Sequence, residues 1–257
     1  GGNHRQTLTD ADGEGRHLFQ RGCEEAGATM GVDEVGTMFA RIEGTDPDAL
    51  PITMGSHLDT QPTGGKYDGV LGVLGGLEVM RTLNDTNIKT KRPIVVVNWT
   101  NEEGTRFAPA MLASGVFAGV HEQDWAYERT DAKGKKFIDE LERIGWKGDE
   151  PVGKRKIHSM FELHIEQGPI LEIENKDIGV VTHGQGLWWL QVTLTGKEAH
   201  TGPTPMKMRK NASLGLGKLL QLVNEIAMSH QPDAVCGLGP LDVSPNSCQV
   251  FLRQFLS

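Results

Sequence analysis

Gly55-Ser56-His57-Leu58-Asp59-Thr60-Gln61-Pro62-Thr63-Gly64-Gly65-Lys66-Tyr67-Asp68-Gly69-Val70 decides how this chain is read. Ahead of it stands Ile52-Thr53-Met54, a short run with a β-branched majority, the composition of a buried strand. Behind it, Val70 to Leu83 reads as a helix. One imidazole and two carboxylates therefore occupy a glycine-punctuated loop between a strand and a helix. Open α/β sheets present their chemistry in such loops, at the carboxyl end of a strand. The stretch predicts half of a metal site, with the other ligands supplied from elsewhere.

The same geometry recurs downstream. Ile94-Val95-Val96-Val97-Asn98-Trp99 is the clearest buried strand, and it runs into Thr100-Asn101-Glu102-Glu103-Gly104. Strand, helix and strand in this order predict a parallel crossover. Phe161 to Ile165 alternates like a strand edge and carries His164, and a helix over Ile170 to Asn175 follows. His57, Asp68, Glu102, Glu103 and His164 form the candidate constellation. Imidazole and carboxylate ligands without thiolate suit Zn²⁺, and also Mn²⁺ or Co²⁺. Asp59 is placed to orient the His57 imidazole. Asp68 is able to bridge two metals and Glu103 to bind one, while Glu102 acts as a base on a water whose pKa the metal lowers to roughly 7. His4, His17, His121, His158, His183 and His230 have no such context and are read as surface or core residues. His200 sits in a loop rich in Gly and Pro, and by composition alone is a polar loop residue.

Working outward, Thr9 to Glu25 predicts a helix capped by Thr9, with Asp10, Asp12 and Glu14 in its first turns, apolar Leu18, Phe19 and Cys23, and a stop at Gly27. Val35 to Gly44 predicts a strand. Gly72, Gly75 and Gly76 predict close packing of the helix after Val70 on the sheet. Thr130 to Lys156 reads as charged and mostly helical over a thin apolar stripe of Phe137, Ile138, Leu141 and Ile144. From Leu187 the alternation through Thr195 has antiparallel character, and a helix spans about Lys210 to Ser229. The change of character near Thr182–Gln185 predicts a boundary between a catalytic portion, residues 1–183, and a second portion, residues 184–257.

Length and composition set the frame: 257 residues, 33 of them Gly, against an average Gly content of about 7%. That enrichment favours an enzyme with many tight loops over a helical bundle. A net charge of −8 argues against nucleic acid or an anionic membrane surface as partner. Three cysteines, Cys23, Cys236 and Cys248, form no C-x-x-C pair and no disulfide framework, as expected of a reducing, cytoplasmic compartment. No run approaches the roughly 18 apolar residues of a transmembrane helix. The opening Gly1-Gly2-Asn3-His4-Arg5-Gln6 lacks an initiator Met and an apolar signal core, as expected of a fragment.

Four motifs in order, Gly55-Ser56-His57-Leu58-Asp59-Thr60, Gly65-Lys66-Tyr67-Asp68-Gly69-Val70, Asn101-Glu102-Glu103-Gly104-Thr105-Arg106-Phe107 and Leu163-His164-Ile165-Glu166-Gln167-Gly168-Pro169, resemble the dinuclear-metal amidohydrolases. Within them the chain is similar to the hydantoinase/carbamoylase family, which includes N-carbamoyl-L-amino-acid hydrolases, β-ureidopropionase and allantoate amidohydrolase. The resemblance implies an α/β, mostly parallel-sheet, metallopeptidase-like catalytic domain and a partial α+β lid that forms a homodimer. It implies two divalent metals, Zn²⁺ foremost, with His57 and His164 on one ion, Asp68 bridging and Glu103 on the other. It implies Glu102 as general base, Gln167 as a contact to the substrate ureido group, and His200 as a lid residue that stabilises the oxyanion. The implied reaction is hydrolysis of a linear amide C–N bond in an N-carbamoyl amino acid, giving amino acid, CO₂ and ammonia. Allantoate hydrolysis is the alternative. Two departures are expected to matter. A further His ligand of the second metal belongs beyond Ser257, and the Asn and Arg that bind the substrate carboxylate are not matched, Gln249 standing at the Asn position and Arg253 outside the pattern. The remaining alternative is therefore an incomplete chain that binds metal only.

Overall fold

The computed structural model describes residues 2–239, 241–244 and 254–256, the last three by their backbone alone. Gln249, Arg253 and Cys248 lie outside the described residues. The chain divides into two units, Gly1–Ile178 and Gly179–Ser257.

The first unit opens with α1 (Asp10–Glu25), whose N-cap Thr9 accepts the Asp12 backbone N–H, and Gly27 beyond its end takes a φ of 79°. Phe19 and Cys23 are buried on its inner face, whereas Leu18 is exposed. β1 (Thr29–Val32), β2 (Met38–Ile42), β3 (Ile52–His57), α2 (Val70–Asp85) and β4 (Ile94–Trp99) follow. The short helices α3 (Leu112–Phe117), α4 (Gln123–Tyr127) and α5 (Phe137–Arg143) precede β5 (Ser159–Phe161) and α6 (Ile170–Ile173).

The five strands form one sheet in the order β1-β2-β4-β3-β5. β3 runs parallel to β4 and β5, while β1–β2 and β2–β4 are antiparallel. The sheet is mixed rather than mostly parallel, and local turn chemistry is the reason. Asp33 Oδ1 accepts the backbone N–H groups of Val35 (3.1 Å) and Thr37 (2.8 Å), and Gly36 takes a φ of 83°. Such a turn reverses the chain into a hairpin before a crossover is possible. The expected strand over 35–44 is accordingly cut to β2.

Three other expectations are revised. The segment 130–156 holds a single helix, α5; its Phe137 and Leu141 are buried, and the charged remainder forms turns. The strand expected over 161–165 ends at Phe161, so His164 stands beyond it in a loop. Alternation from Leu187 gives only β6 (Thr193–Thr195), because Trp188 and Trp189 are about nine-tenths exposed and join no strand among the described residues.

α2 packs on the sheet through glycine. A Cβ at Gly76 would stand 2.7 Å from Val96 Cγ1, and one at Gly72 2.7 Å from Ser56 Cβ; Gly75 makes only ordinary contact, at 3.4 Å. On this side Val73, Leu77 and Met80 join Phe19, Met38 and Val96 in the main core. Phe39, Val95, Val97 and Trp99 cover the opposite face with Phe117.

One buried ion cluster ties the loop after β4 to α5. Glu140 accepts from Arg106 Nη2 (2.5 Å), Lys135 Nζ (2.9 Å) and Arg143 Nε (3.1 Å). Burial pushes the Glu140 carboxyl up, but these three donors outweigh it and hold the group at about 2, against 4.5 in water. A value lower in the folded chain means stability that is full above about 4.5 and lost as pH falls through about 2. With Lys135 and Arg143 partly exposed, the contribution is about 2–3 kcal/mol. Glu140→Gln is expected to lose that amount near neutral pH, and its gap from the parent to close as the medium is acidified. Urea unfolding at a series of pH values measures it.

The second unit holds β6, a 3₁₀ turn (Met206–Met208), α7 (Ala212–Ser229), β7 (Asp242–Ser244) and β8 (Gln254–Leu256). Its sheet is antiparallel in the order β6-β8-β7. Asn211 caps α7 by accepting the Ser213 backbone N–H. No helix among the described residues is long and apolar enough to cross a membrane.

Candidate metal centre

β3 delivers His57 at its last position, where Asn98 Oδ1 of neighbouring β4 accepts the Leu58 backbone N–H (2.9 Å) and holds the chain as it leaves the sheet. The His57 imidazole is 1% exposed, and its Nδ1 stands 2.8 Å from the Asp59 carbonyl oxygen. A carbonyl only accepts, so Nδ1 carries the proton and Nε2 of the neutral ring presents a lone pair. His164 repeats this, with Nδ1 at 2.8 Å from the Ile165 carbonyl oxygen. Both lone pairs face Asp68: its Oδ1 lies 3.8 Å from His57 Nε2 and 3.3 Å from His164 Nε2. One donor atom from each of His57, Asp68 and His164 falls within 4.8 Å of the others.

Gly69 makes this approach possible. It takes a φ of 66°, and a Cβ there would stand 2.5 Å from the His57 ring. Only glycine lets the loop turn into α2 against the imidazole.

The acidic pair is set at the end of β4. Asn101 takes a φ of 57° and donates from Nδ2 to the Phe107 carbonyl (2.7 Å). The Asp59 carboxylate then accepts the backbone N–H groups of Glu102 and Glu103, each at 3.2 Å. Glu102 Oε2 comes within 3.4 Å of His57 Nε2. Glu103 Oε2 accepts from Gln61 Nε2 (3.0 Å), while its Oε1 is buried with no hydrogen-bond partner among the described residues. Below the pair, buried Arg16 donates to Asp12 Oδ2 (2.9 Å), the Gly36 carbonyl (2.7 Å) and Thr100 Oγ1 (3.0 Å), bracing the strand end.

Negative charge dominates. Burial raises the Glu102 carboxyl above the ordinary range, with His57 opposing and Glu103 adding to the rise. Burial likewise raises Asp59. Burial opposes protonation of His57, but Asp59 and Glu102 turn the net direction upward. The group therefore attracts positive charge.

Asp59 holds the imidazole through its main-chain oxygen; its carboxylate, 3.8 Å from Nδ1, serves the acidic pair instead. Gln167 donates from Nε2 to Asp68 Oδ2 (2.7 Å). Glu102 and Glu103 stand outside the three-residue His57–Asp68–His164 group. His200 belongs to the second unit; its Nδ1 accepts the Gly202 backbone N–H (3.0 Å), which leaves the proton of the neutral ring on Nε2. Sequence reading missed Asn98, Asn101, Gln61 and Arg16. A polar Asn inside the apolar run 94–99 was the one signal available.

Two imidazole lone pairs and the Asp68 carboxylate oxygen near both fit a divalent cation, and the orphaned buried oxygen of Glu103 is a further potential ligand atom outside that group. The chain belongs to Peptidase family M20/M25/M40, whose profile it matches over residues 53–247. It is 70% identical over 250 residues to the N-carbamoyl-L-amino-acid amidohydrolase of Rhizobium meliloti, covering 97% of this chain and 60% of that protein. The Geobacillus stearothermophilus N-carbamoyl-L-amino acid amidohydrolase is 36% identical, covering 97% and 62%. The Arabidopsis thaliana ureidoglycolate hydrolase is 35% identical, covering 95% and 53%. Among solved structures, an amidase of the hydantoinase/carbamoylase family from Burkholderia vietnamiensis superposes with a TM-score of 0.93 at 52% identity, covering all of this chain and 62% of that one. The chain thus spans about three-fifths of the length of these amidohydrolases.

Proposed function

We propose that the protein carrying this chain is a metal-dependent amidohydrolase that cleaves N-carbamoyl-L-amino acids. The observation that carries this is the 70% identity to the Rhizobium meliloti enzyme along 97% of the chain. The His57–Asp68–His164 group beside Glu102 supplies the chemistry it needs. His57 and His164 would hold one ion, Glu103 with its orphaned oxygen a second, and Asp68 would serve as a ligand to both; Zn²⁺, Mn²⁺ and Co²⁺ all accept such ligands. When bound, the ions would supply Lewis acidity toward the ureido carbonyl and water.

Glu102 takes a proton from the attacking water as the water oxygen bonds to the ureido carbon. The bond from that carbon to the amino-acid nitrogen then breaks, and Glu102 delivers the proton to the departing nitrogen. The carbamic acid left behind falls to CO₂ and ammonia. Gln167 is positioned beside Asp68 to turn its amide to the ureido group, and His200, with its proton on Nε2, is a donor suited to the oxyanion. The first portion is the catalytic domain and the second a lid through which a homodimer forms. A reducing, cytoplasmic setting accords with the free thiols of Cys23 and Cys236.

A second reading, hydrolysis of a ureide such as allantoate or ureidoglycolate, is favoured by the likeness to the Arabidopsis enzyme. Ammonia release from N-carbamoyl-L-α-amino acids, N-carbamoyl-β-alanine, allantoate and ureidoglycolate separates the readings. The highest kcat/KM is expected for an N-carbamoyl-L-α-amino acid. Preference for a ureide would establish the second reading, and turnover of none with metal supplied would overturn both.

A further inference from the structure

The parallel ladder between β3 and β5 stops just short of the histidines. Its register pairs Ile52 with Ser159, Thr53 with Met160 and Met54 with Phe161. Continued at the same step, it would set Ser56 level with Leu163 and His57 level with His164. No strand forms there. Instead the buried Ser56 hydroxyl donates to Glu162 Oε1. At the same point α2 makes its closest approach: a Cβ on Gly72 would stand 2.6 Å from the Leu163 carbonyl oxygen and 2.7 Å from Ser56 Cβ. Ser56 precedes His57, Glu162 lies just upstream of His164, and Gly72 lies in the first turn after Asp68. Three chain segments, each bearing one member of the metal-binding group, therefore meet at one hydroxyl–carboxylate contact.

We infer that Ser56 and Glu162 form a clasp that sets the separation of His57 and His164, making both of them positioning residues for the metal centre. The inference rests on the reading of His57, Asp68 and His164 as a metal site. An O–H donor on an ionised carboxylate is among the stronger hydrogen bonds. It replaces main-chain pairing where the ladder ends, and does so without occupying either imidazole. His57 and His164 are then held 6.2 Å apart between ring centroids, at 32°. Partners that orient metal ligands in this way cost about 10–100-fold in metal affinity when removed.

Mn²⁺ titrated into the metal-free protein that carries this chain, followed by calorimetry, tests the clasp. Ser56→Ala and Glu162→Ala are each expected to weaken binding by about 10–100-fold. Glu162→Ala leaves the buried Ser56 hydroxyl without its acceptor and is expected to lower the metal-free melting temperature as well, so each titration is run below the melting temperature of its variant. Glu162→Gln keeps an oxygen acceptor and discards the charge, and is expected to lose less affinity than Glu162→Ala. The double variant is expected to bind no more weakly than the weaker single, because both remove one interaction. Parent-like binding by either Ala variant overturns the clasp. So does a loss in Glu162→Gln as large as in Glu162→Ala, or a multiplied loss in the double variant. If the parent binds no Mn²⁺ while every variant also binds none, the metal-site reading itself fails and the clasp with it.

Discussion

Glu102→Gln is expected to lower kcat by about 10²–10⁴-fold while metal content stays at the parent level. The two halves of that result have separate causes. Gln keeps the shape of the side chain and the backbone N–H that Asp59 accepts, so the acidic loop stays in place. Glu102 is not one of the three clustered donors, so their spacing is untouched. What is lost is a carboxylate 3.4 Å from His57 Nε2, the group able to take a proton from water and return it to the leaving nitrogen. Steady-state kinetics on an N-carbamoyl-L-amino acid, with metal content by mass spectrometry on the same sample, measures both. Turnover close to the parent's would remove Glu102 from the base role.

Asp68→Ala is expected to produce the opposite pattern, loss of metal first and of activity as its consequence. Asp68 is the one carboxylate of the three-residue group, with Oδ1 3.8 Å from His57 Nε2 and 3.3 Å from His164 Nε2. Its removal leaves the two imidazoles without the carboxylate they share and strips Gln167 of its acceptor. The affinity loss is expected to exceed the roughly 10–100-fold that an outer partner costs. Metal stoichiometry after dialysis decides the matter. A parent-like stoichiometry in Asp68→Ala would displace the centre from this loop.

Much of the candidate site was legible because its signals are local. His57 ends β3, and Asp68 and the Glu102–Glu103 pair fall in loops that leave strands; such strand ends are recognisable from an apolar run that gives way to polar and glycine residues. α1 and α7 were legible for a similar reason, since Thr9 and Asn211 close their first turns with their own side chains. The β1–β2 hairpin was not, because it depends on Asp33 bending back onto Val35 and Thr37, which periodicity does not register. The alternation read from Leu187 through Thr195 misled for the converse reason: a strand needs a neighbour, and alternation describes only one side of the pair.

The amino-acid sequence alone determined which residues are available for chemistry, in what order, and at which strand ends, because side-chain type and hydrophobic period are properties of the chain itself. Tertiary structure decided how they are used. It routed the His57 proton to a main-chain oxygen and spent the Asp59 carboxylate on the acidic pair, leaving both imidazole lone pairs turned to Asp68. It also brought Ser56 onto Glu162, residues far apart in the chain whose contact exists only because β3 and β5 lie side by side. Hydrogen-bond direction depends on which donor meets which acceptor in space, and no spacing along the chain contains that.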